Sequence, residues 1–246
     1  MIYVNGDSYS VISDGKNYSN VLGERFNEHV MNKAIPGSCN GRIFRVTCRD
    51  LLKLHKQNVE NVKVCVGLSF WYRTELWIDE HGIDRWYQFQ FDDGEFASFQ
   101  ATTNTDWWQH GPVVSSDVPK FFKKPLQEWV KTINADAAIV NTLHQASLLL
   151  HLCKSLGYKL VIFWAADVTE ELDRIDTKLD ALKDFYAEFD QTNSFDLLNY
   201  SFVRKFNKIR HPIDYEKYGL HGHPGTLSHT ALAEEIYEKL LIHSQN

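Results

Sequence analysis

The sequence predicts an α/β chain in three layers, with helices on both faces of a parallel sheet of about five strands. Two observations predict it. Short apolar runs rich in β-branched residues, such as Val62-Lys63-Val64-Cys65-Val66-Gly67-Leu68, alternate with segments of helical periodicity. The last segment, Thr226 to Ile242, is an amphipathic helix in which Ala231, Leu232, Ile236, Leu240 and Leu241 recur at helical spacing.

The first strand, Ile2-Tyr3-Val4, runs into Asn5-Gly6-Asp7-Ser8, and a helix follows from about Tyr18 to Asn27. His29 to Ile35 reads as a second strand, closed by Pro36-Gly37. The next helix, Gly41 to Lys56, takes Ile43, Val46, Leu51, Leu52 and Leu54 as its apolar face, and Val62 to Leu68 is a buried parallel strand. Residues 76–120 break the rhythm. Tyr87, Phe89 and Phe91 alternate with Gln88, Gln90 and Asp92 and run into Asp93-Gly94, a hairpin signal because a tight turn needs residues that accept positive φ. With Trp77, Trp86, Trp107 and Trp108, this stretch reads as an insertion, a lid or a wall, on a single domain spanning 1–246. Residues 125–156 read as a long helix interrupted near Asn134, and Lys159 to Trp164 as a strand. Residues 169–189 read as charged helix or loop, and Leu197 to Val203 as either a fifth strand or a short helix.

With 246 residues the chain can bury a core without staples. A net charge of −6 and one tight basic cluster (Lys120, Lys123, Lys124) argue against a nucleic-acid partner. Cys39, Cys48, Cys65 and Cys153 form no C-x-x-C pair and are expected to be reduced thiols. The N-terminus lacks the charged and apolar regions of a signal peptide, and no stretch is long and apolar enough to span a membrane, so the expectation is a cytoplasmic chain without a membrane partner.

In parallel α/β sheets, ligands bind at the carboxyl ends of the strands. Ser8, Gly37 and Ser69 each follow a strand and fall on that rim. A nucleophilic serine needs an exposed hydroxyl at a strand end, a neighbouring base, and backbone N–H groups for the oxyanion. The bland reading of Gly6-Asp7-Ser8 is a turn, since all three residues favour turns and caps.

The order of three blocks resembles the SGNH (GDSL-like) hydrolases: Gly6-Asp7-Ser8 after the first strand, Gly37 in Ala34-Ile35-Pro36-Gly37-Ser38-Cys39-Asn40, and Gly222-His223-Pro224-Gly225 before the final helix. Divergent chains of this kind resemble ones found in bacteriophages and other viruses. The resemblance implies a flavodoxin-like strand order, Ser8 as nucleophile, His223 as its base, and the amides of Ser8 and Gly37 as oxyanion donors. It implies an acyl-ester substrate, a small molecule or a glycan, and no cofactor.

Two blocks depart from the family. Gly67-Leu68-Ser69-Phe70 stands where the family has Gly-x-Asn-Asp, so the side-chain oxyanion donor is either Ser69 or Asn40. The family's orienting Asp is replaced by His221 or Leu220, leaving Asp214 or a backbone carbonyl to orient His223. His221, His229 and His211 compete with His223 for the role of base. His221, His223 and His229 lack an acidic or Cys partner at metal-ligand spacing, so no metal is expected. Arg73 and Glu75, after the third strand, read either as substrate-binding residues or as an ion pair at the base of the insertion; Arg42 and Arg45 read as solvated or rim residues. The rival function is a catalytically degenerate fold that binds carbohydrate or protein through its aromatic insertion.

Overall fold

The structure, a computed structural model, describes residues 1–11, 16–80, 83–92, 95–103, 132, 134–168, 172, 201–207 and 224–242, with backbone only for most of 76–103. Four strands, β1 (Ile2–Asn5), β2 (Val30–Asn32), β3 (Lys63–Leu68) and β7 (Lys159–Trp164), form a parallel sheet in the order β2-β1-β3-β7. The register is set by pairs such as Tyr3↔Met31, Val4↔Cys65 and Val66↔Ile162. This is the flavodoxin-like order, whose topological switch point lies between β1 and β3.

Alternation along the strands separates two cores. Tyr3, Val64, Val66, Leu68, Leu160, Ile162 and Trp164 face a cluster completed by α2 (Asn40–Lys56) and α3 (Ala135–Leu156). Ile2, Val4, Cys65, Val161 and Phe163 face the opposite cluster, completed by α1 (Tyr18–Phe26) and α5 (Thr226–Ile242). Both faces are covered, as continuous apolar strands require, and the three layers match the expected fold class.

Capping residues explain several helix starts. Asn17 accepts from the N–H groups of Ser19 and Asn20, and the Asn20 side chain accepts from the Asn17 N–H, a reciprocal box. Asn134 accepts from Asp136 N at 2.9 Å and Ala137 N at 3.3 Å, so α3 starts at the break expected there; residues 125–131 lie outside the described ones. Two apolar assignments change with burial: Leu52 and Leu241 are exposed, because each sits one residue off the stripe that meets the sheet. Phe44 on α2 and Ala233 on α5 are buried instead.

The stretch after β3 contains more than the expected hairpin. β4 (Arg73–Glu80), β5 (Ile83–Asp92) and β6 (Glu95–Thr103) form an antiparallel three-stranded sheet with a register shift between Gln90 and Phe91. Asp92 pairs with Glu95 around the expected turn; residues 104–120 are outside the described ones. At the other edge of the main sheet, Ser201 bridges Trp164 in parallel and leads straight into α4 (Phe202–Asn207), so strand pairing and helix meet at that one position.

Two contacts fix the direction of α5. The Leu240 carbonyl near its end accepts from Lys159 Nζ at 3.3 Å, at the amino edge of the sheet. His229, in its first turns, stacks on Tyr18 with ring centroids 6.0 Å apart, and Tyr18 meets Phe163 near the carboxyl edge. The helix therefore runs against the strands and begins at their carboxyl rim.

Candidate active site

β1 ends at Asn5, whose buried side chain donates to Ile43 O and Thr47 Oγ1 and accepts from Gly6 N. The chain then turns through Gly6 and Asp7 into a single 3-10 turn, Ser8–Ser10. Asp7 caps that turn, its Oδ1 accepting from Tyr9 N at 3.0 Å. Ser8 is thus held half-buried on a rigid turn at the carboxyl rim. Gly6 is demanded here: a Cβ would lie 2.3 Å from Ser10 Oγ and 3.1 Å from Gly67 O. Ser10 Oγ fills the gap between β1 and β3 and accepts from Tyr18 Oη at 2.9 Å.

Gly37 follows Pro36 at φ +76°, and Ser38 N donates to Ile35 O at 3.1 Å, a β-turn of the kind that takes proline and then a left-handed residue. Ile35 N donates to Gly6 O at 3.2 Å, which ties this turn to the one carrying Ser8.

Below Ser8 lies a buried polar cluster. Asp7 is fully buried, and its Oδ2 accepts from Ser69 Oγ at 2.8 Å and from Arg73 Nη1 at 2.9 Å. Arg73 Nη1 also reaches Ser69 Oγ at 2.8 Å, and its guanidinium lies over the Phe70 ring, 4.9 Å from the centroid. Removing a carboxylate from water is costly unless a cation and hydrogen bonds replace the solvent, and this arrangement supplies both. Tyr9, beside the cluster, is pushed up to about 12 by burial and by the neighbouring Asp7 charge.

Asn40 links the second and third blocks. Its Oδ1 accepts from Ser69 N at 2.7 Å, and its Nδ2 donates to Ser69 O at 3.0 Å and to Thr142 Oγ1 at 3.5 Å. Both candidate oxyanion side chains are therefore engaged internally: the Ser69 hydroxyl with Asp7 and the Asn40 amide with Ser69 and Thr142.

Arg73 and Glu75 do not pair with each other. Arg73 turns to Asp7, and Glu75 receives a two-pronged bond from Arg45, at 3.0 Å and 2.7 Å. That fastens β4 to α2. Arg42, expected to be solvated or on the rim, is buried instead and donates to Ser38 Oγ at 3.1 Å; burial lowers its pKa to about 10.

His223, Asp214 and His221 lie outside the described residues. Pro224 and Gly225 are described, and His229 N donates to Gly225 O at 3.1 Å at the start of α5. His229 itself is buried between Tyr18 and Phe202. Among the described residues no cluster of His, Cys, Asp and Glu is arranged to hold a metal. The described cysteines are free thiols, and no described helix is long and apolar enough to cross a membrane.

Sequence reasoning missed the roles of Asn5, Ser10, Tyr18 and Arg42. The signal for Asn5 was present, a polar residue ending an apolar strand. The roles of Ser10, Tyr18 and Arg42 depend on long-range contacts that no local pattern encodes.

The fold and site thus define a parallel α/β chain with a serine-bearing turn at its topological switch point. No protein-family model matches the chain, and no curated protein matches it in sequence. Among solved structures it is similar to that described as the crystal structure of TesA, with 12% identity, 97% of each chain covered and a TM-score of 0.49.

Proposed function

We propose that the chain is a serine ester hydrolase of the SGNH type, acting on an O-acyl ester. The observation that carries this reading is the position of Ser8. It stands half-buried at the carboxyl end of β1, beside the β1/β3 switch point where such sheets bind ligands, on a turn anchored by a buried charge network. The Pro36-Gly37 turn is bonded to the same segment through Ile35 N and Gly6 O. The direction of α5 supports His223 as the partner. His223 immediately precedes Pro224, and the helix beyond it starts at the rim where Ser8 sits.

In this reading His223 takes the proton from Ser8 Oγ as that oxygen attacks the ester carbonyl. The amides of Ser8 and Gly37 hold the oxyanion. Collapse of the tetrahedral adduct expels the alcohol, which takes the proton back from His223. Water, deprotonated by His223, then attacks the acyl-enzyme and releases the acid and free Ser8. Asp214 orients the imidazole. Ser69 serves as support for Asp7, and Asn40 as a clamp on Ser69.

One observation favours the rival reading of a binding module. With Ser69 Oγ and Asn40 Nδ2 engaged internally, neither side chain offered for the oxyanion among the described residues is spare, and loss of one such donor lowers turnover by about 100- to 1,000-fold. A fluorophosphonate probe separates the two. The hydrolase reading expects a covalent adduct on Ser8 by mass spectrometry, lost in His223→Ala. A chain that leaves Ser8 unlabelled under conditions where it is folded overturns it.

A further inference from the structure

Arg42, at the start of α2, is only 7% exposed, yet it forms no ion pair with a carboxylate among the described residues. Glu75, which its charge senses, is taken by the fork of Arg45. Burying a guanidinium is costly unless hydrogen bonds replace its water, and an apolar side chain would fill the same place without that cost. We propose that Arg42 is a positioning residue: through Ser38 it fixes the turn that aims the Gly37 amide at the oxyanion. This role rests on the hydrolase reading.

Side chains of a helix lean toward its N-terminus, so Arg42 reaches back over the turn that precedes α2. Its Nη1 donates to Ser38 Oγ at 3.1 Å, and that hydroxyl donates to Ile35 O at 2.7 Å. Ser38 N reaches the same carbonyl at 3.1 Å. Ile35 and Ser38 are the two ends of the turn, and Gly37 sits between them at φ +76°. The Gly37 N–H lies in the central peptide, so its direction follows from how the ends are held. A cation that donates to a hydroxyl polarises it and strengthens the bond the hydroxyl gives in turn. Arg42 therefore tightens the contact that closes the turn. Ile35 N donates to Gly6 O at 3.2 Å, which ties the tightened turn to the segment carrying Ser8. Precision matters here because Ser69 Oγ and Asn40 Nδ2 are engaged internally. The oxyanion is left to the amides of Ser8 and Gly37, and a displacement of about 1 Å in such a group can cost about 100-fold.

The test reads rates in folded protein. The full-length chain is compared with Arg42→Met, Arg42→Lys, Ser38→Ala and the double variant Arg42→Met with Ser38→Ala, each well below its melting temperature. Hydrolysis of p-nitrophenyl acetate gives kcat and KM, and a fluorophosphonate gives the rate of labelling at Ser8. The final extent of labelling counts intact sites, so kcat is taken per labelled site and a merely unstable variant keeps its value. Arg42→Met is expected to lower kcat and the labelling rate by about tenfold or more, with KM changed by less than about twofold, because the amide acts on the transition state. Arg42→Lys keeps a donor for Ser38 Oγ and is expected to lose less. The double variant is expected to be no slower than the slower single one, since both substitutions break the same relay. Losses that multiply, or an unchanged labelling rate in Arg42→Met, overturn the role. Should Arg42→Met not fold, Ser38→Ala decides alone: a matching fall supports the relay and an unchanged rate overturns it. Failure of the unmodified chain to label at Ser8 removes the hydrolase and this role together, whereas labelling at equal rates in chain and variants removes this role only.

Discussion

Arg73 Nη1 stands 2.9 Å from Asp7 Oδ2 and joins the start of β4 to the residue before Ser8. The pair is buried, with side-chain exposures of 11% and 0%. Such a pair stabilises little relative to apolar neighbours, but breaking it strands the other charge. Arg73→Met is expected to lower unfolding free energy by about 3–5 kcal/mol, and Arg73→Lys by less, since it keeps a positive charge near Asp7 but loses the planar guanidinium whose Nη1 meets both Asp7 and Ser69. Urea unfolding followed by circular dichroism measures both. A loss below about 1 kcal/mol in Arg73→Met would mean that Asp7 is solvated or protonated.

Gly6 and Ser10 share one slot. Alanine at 6 would bring Cβ to 2.3 Å from Ser10 Oγ and 2.9 Å from Ser10 Cβ. Gly6→Ala is expected to destabilise by about 1–3 kcal/mol. In a Ser10→Gly background both clashing atoms are gone, and the same substitution is expected to cost less. The difference between the two backgrounds is a coupling energy read from a double-mutant cycle; additive effects would show that the backbone, not Ser10, resists the methyl.

Asn40 satisfies both backbone groups of Ser69. Asn40→Ala leaves a buried N–H and a buried C=O unpaired and is expected to cost about 2–4 kcal/mol. If the hydrolase reading holds, kcat for p-nitrophenyl acetate well below the melting temperature is expected to fall by less than about tenfold, because the amide is spent on Ser69. A loss of about 100-fold or more in the folded variant would instead assign Asn40 to the oxyanion.

Two groups predict the pH limits of stability, with opposite signs. Burial raises Glu28, but Lys63 and the Met1 amino group at 2.7 Å outweigh it and hold the carboxyl below its ordinary 4.5. Its contribution is present above pH 4.5 and is lost as pH falls through the lower folded value; Glu28→Gln removes that acid dependence. Tyr9 is raised from 10.0 to about 12, so it favours the folded state below pH 10 and loses that contribution as pH rises toward 12. Tyr9→Phe is expected to flatten the alkaline limb in melting curves recorded from about pH 9 to 12.

How much was legible differs by element. The strands Ile2-Tyr3-Val4 and Lys159–Trp164 and the helix Thr226–Ile242 were readable because burial on one or both sides imposes a local apolar period. The same holds for Asn134 as a helix start, where one side chain caps the first turn, and for a hairpin whose strands pair up to Asp92 and Glu95. Strand order was legible only as a class, and β4 was not legible at all, since Arg73 to Glu80 carries no alternation strong enough to mark a strand.

By itself the sequence determined the layers, the placing of Ser8 and Ser69 at strand ends, and the reduced state expected of the cysteines; the second strand, expected over His29 to Ile35, stops at Asn32, so Gly37 sits on a separate turn five residues beyond it. Only the tertiary structure decided that Asp7 rather than Glu75 receives Arg73, that Asn40 clamps Ser69, and that Arg42 is buried. The physical reason is range: backbone preference and apolar period act over a few residues, whereas the partner of a buried charge is whichever opposite group the packed layers bring within about 3 Å, here 66 positions along the chain.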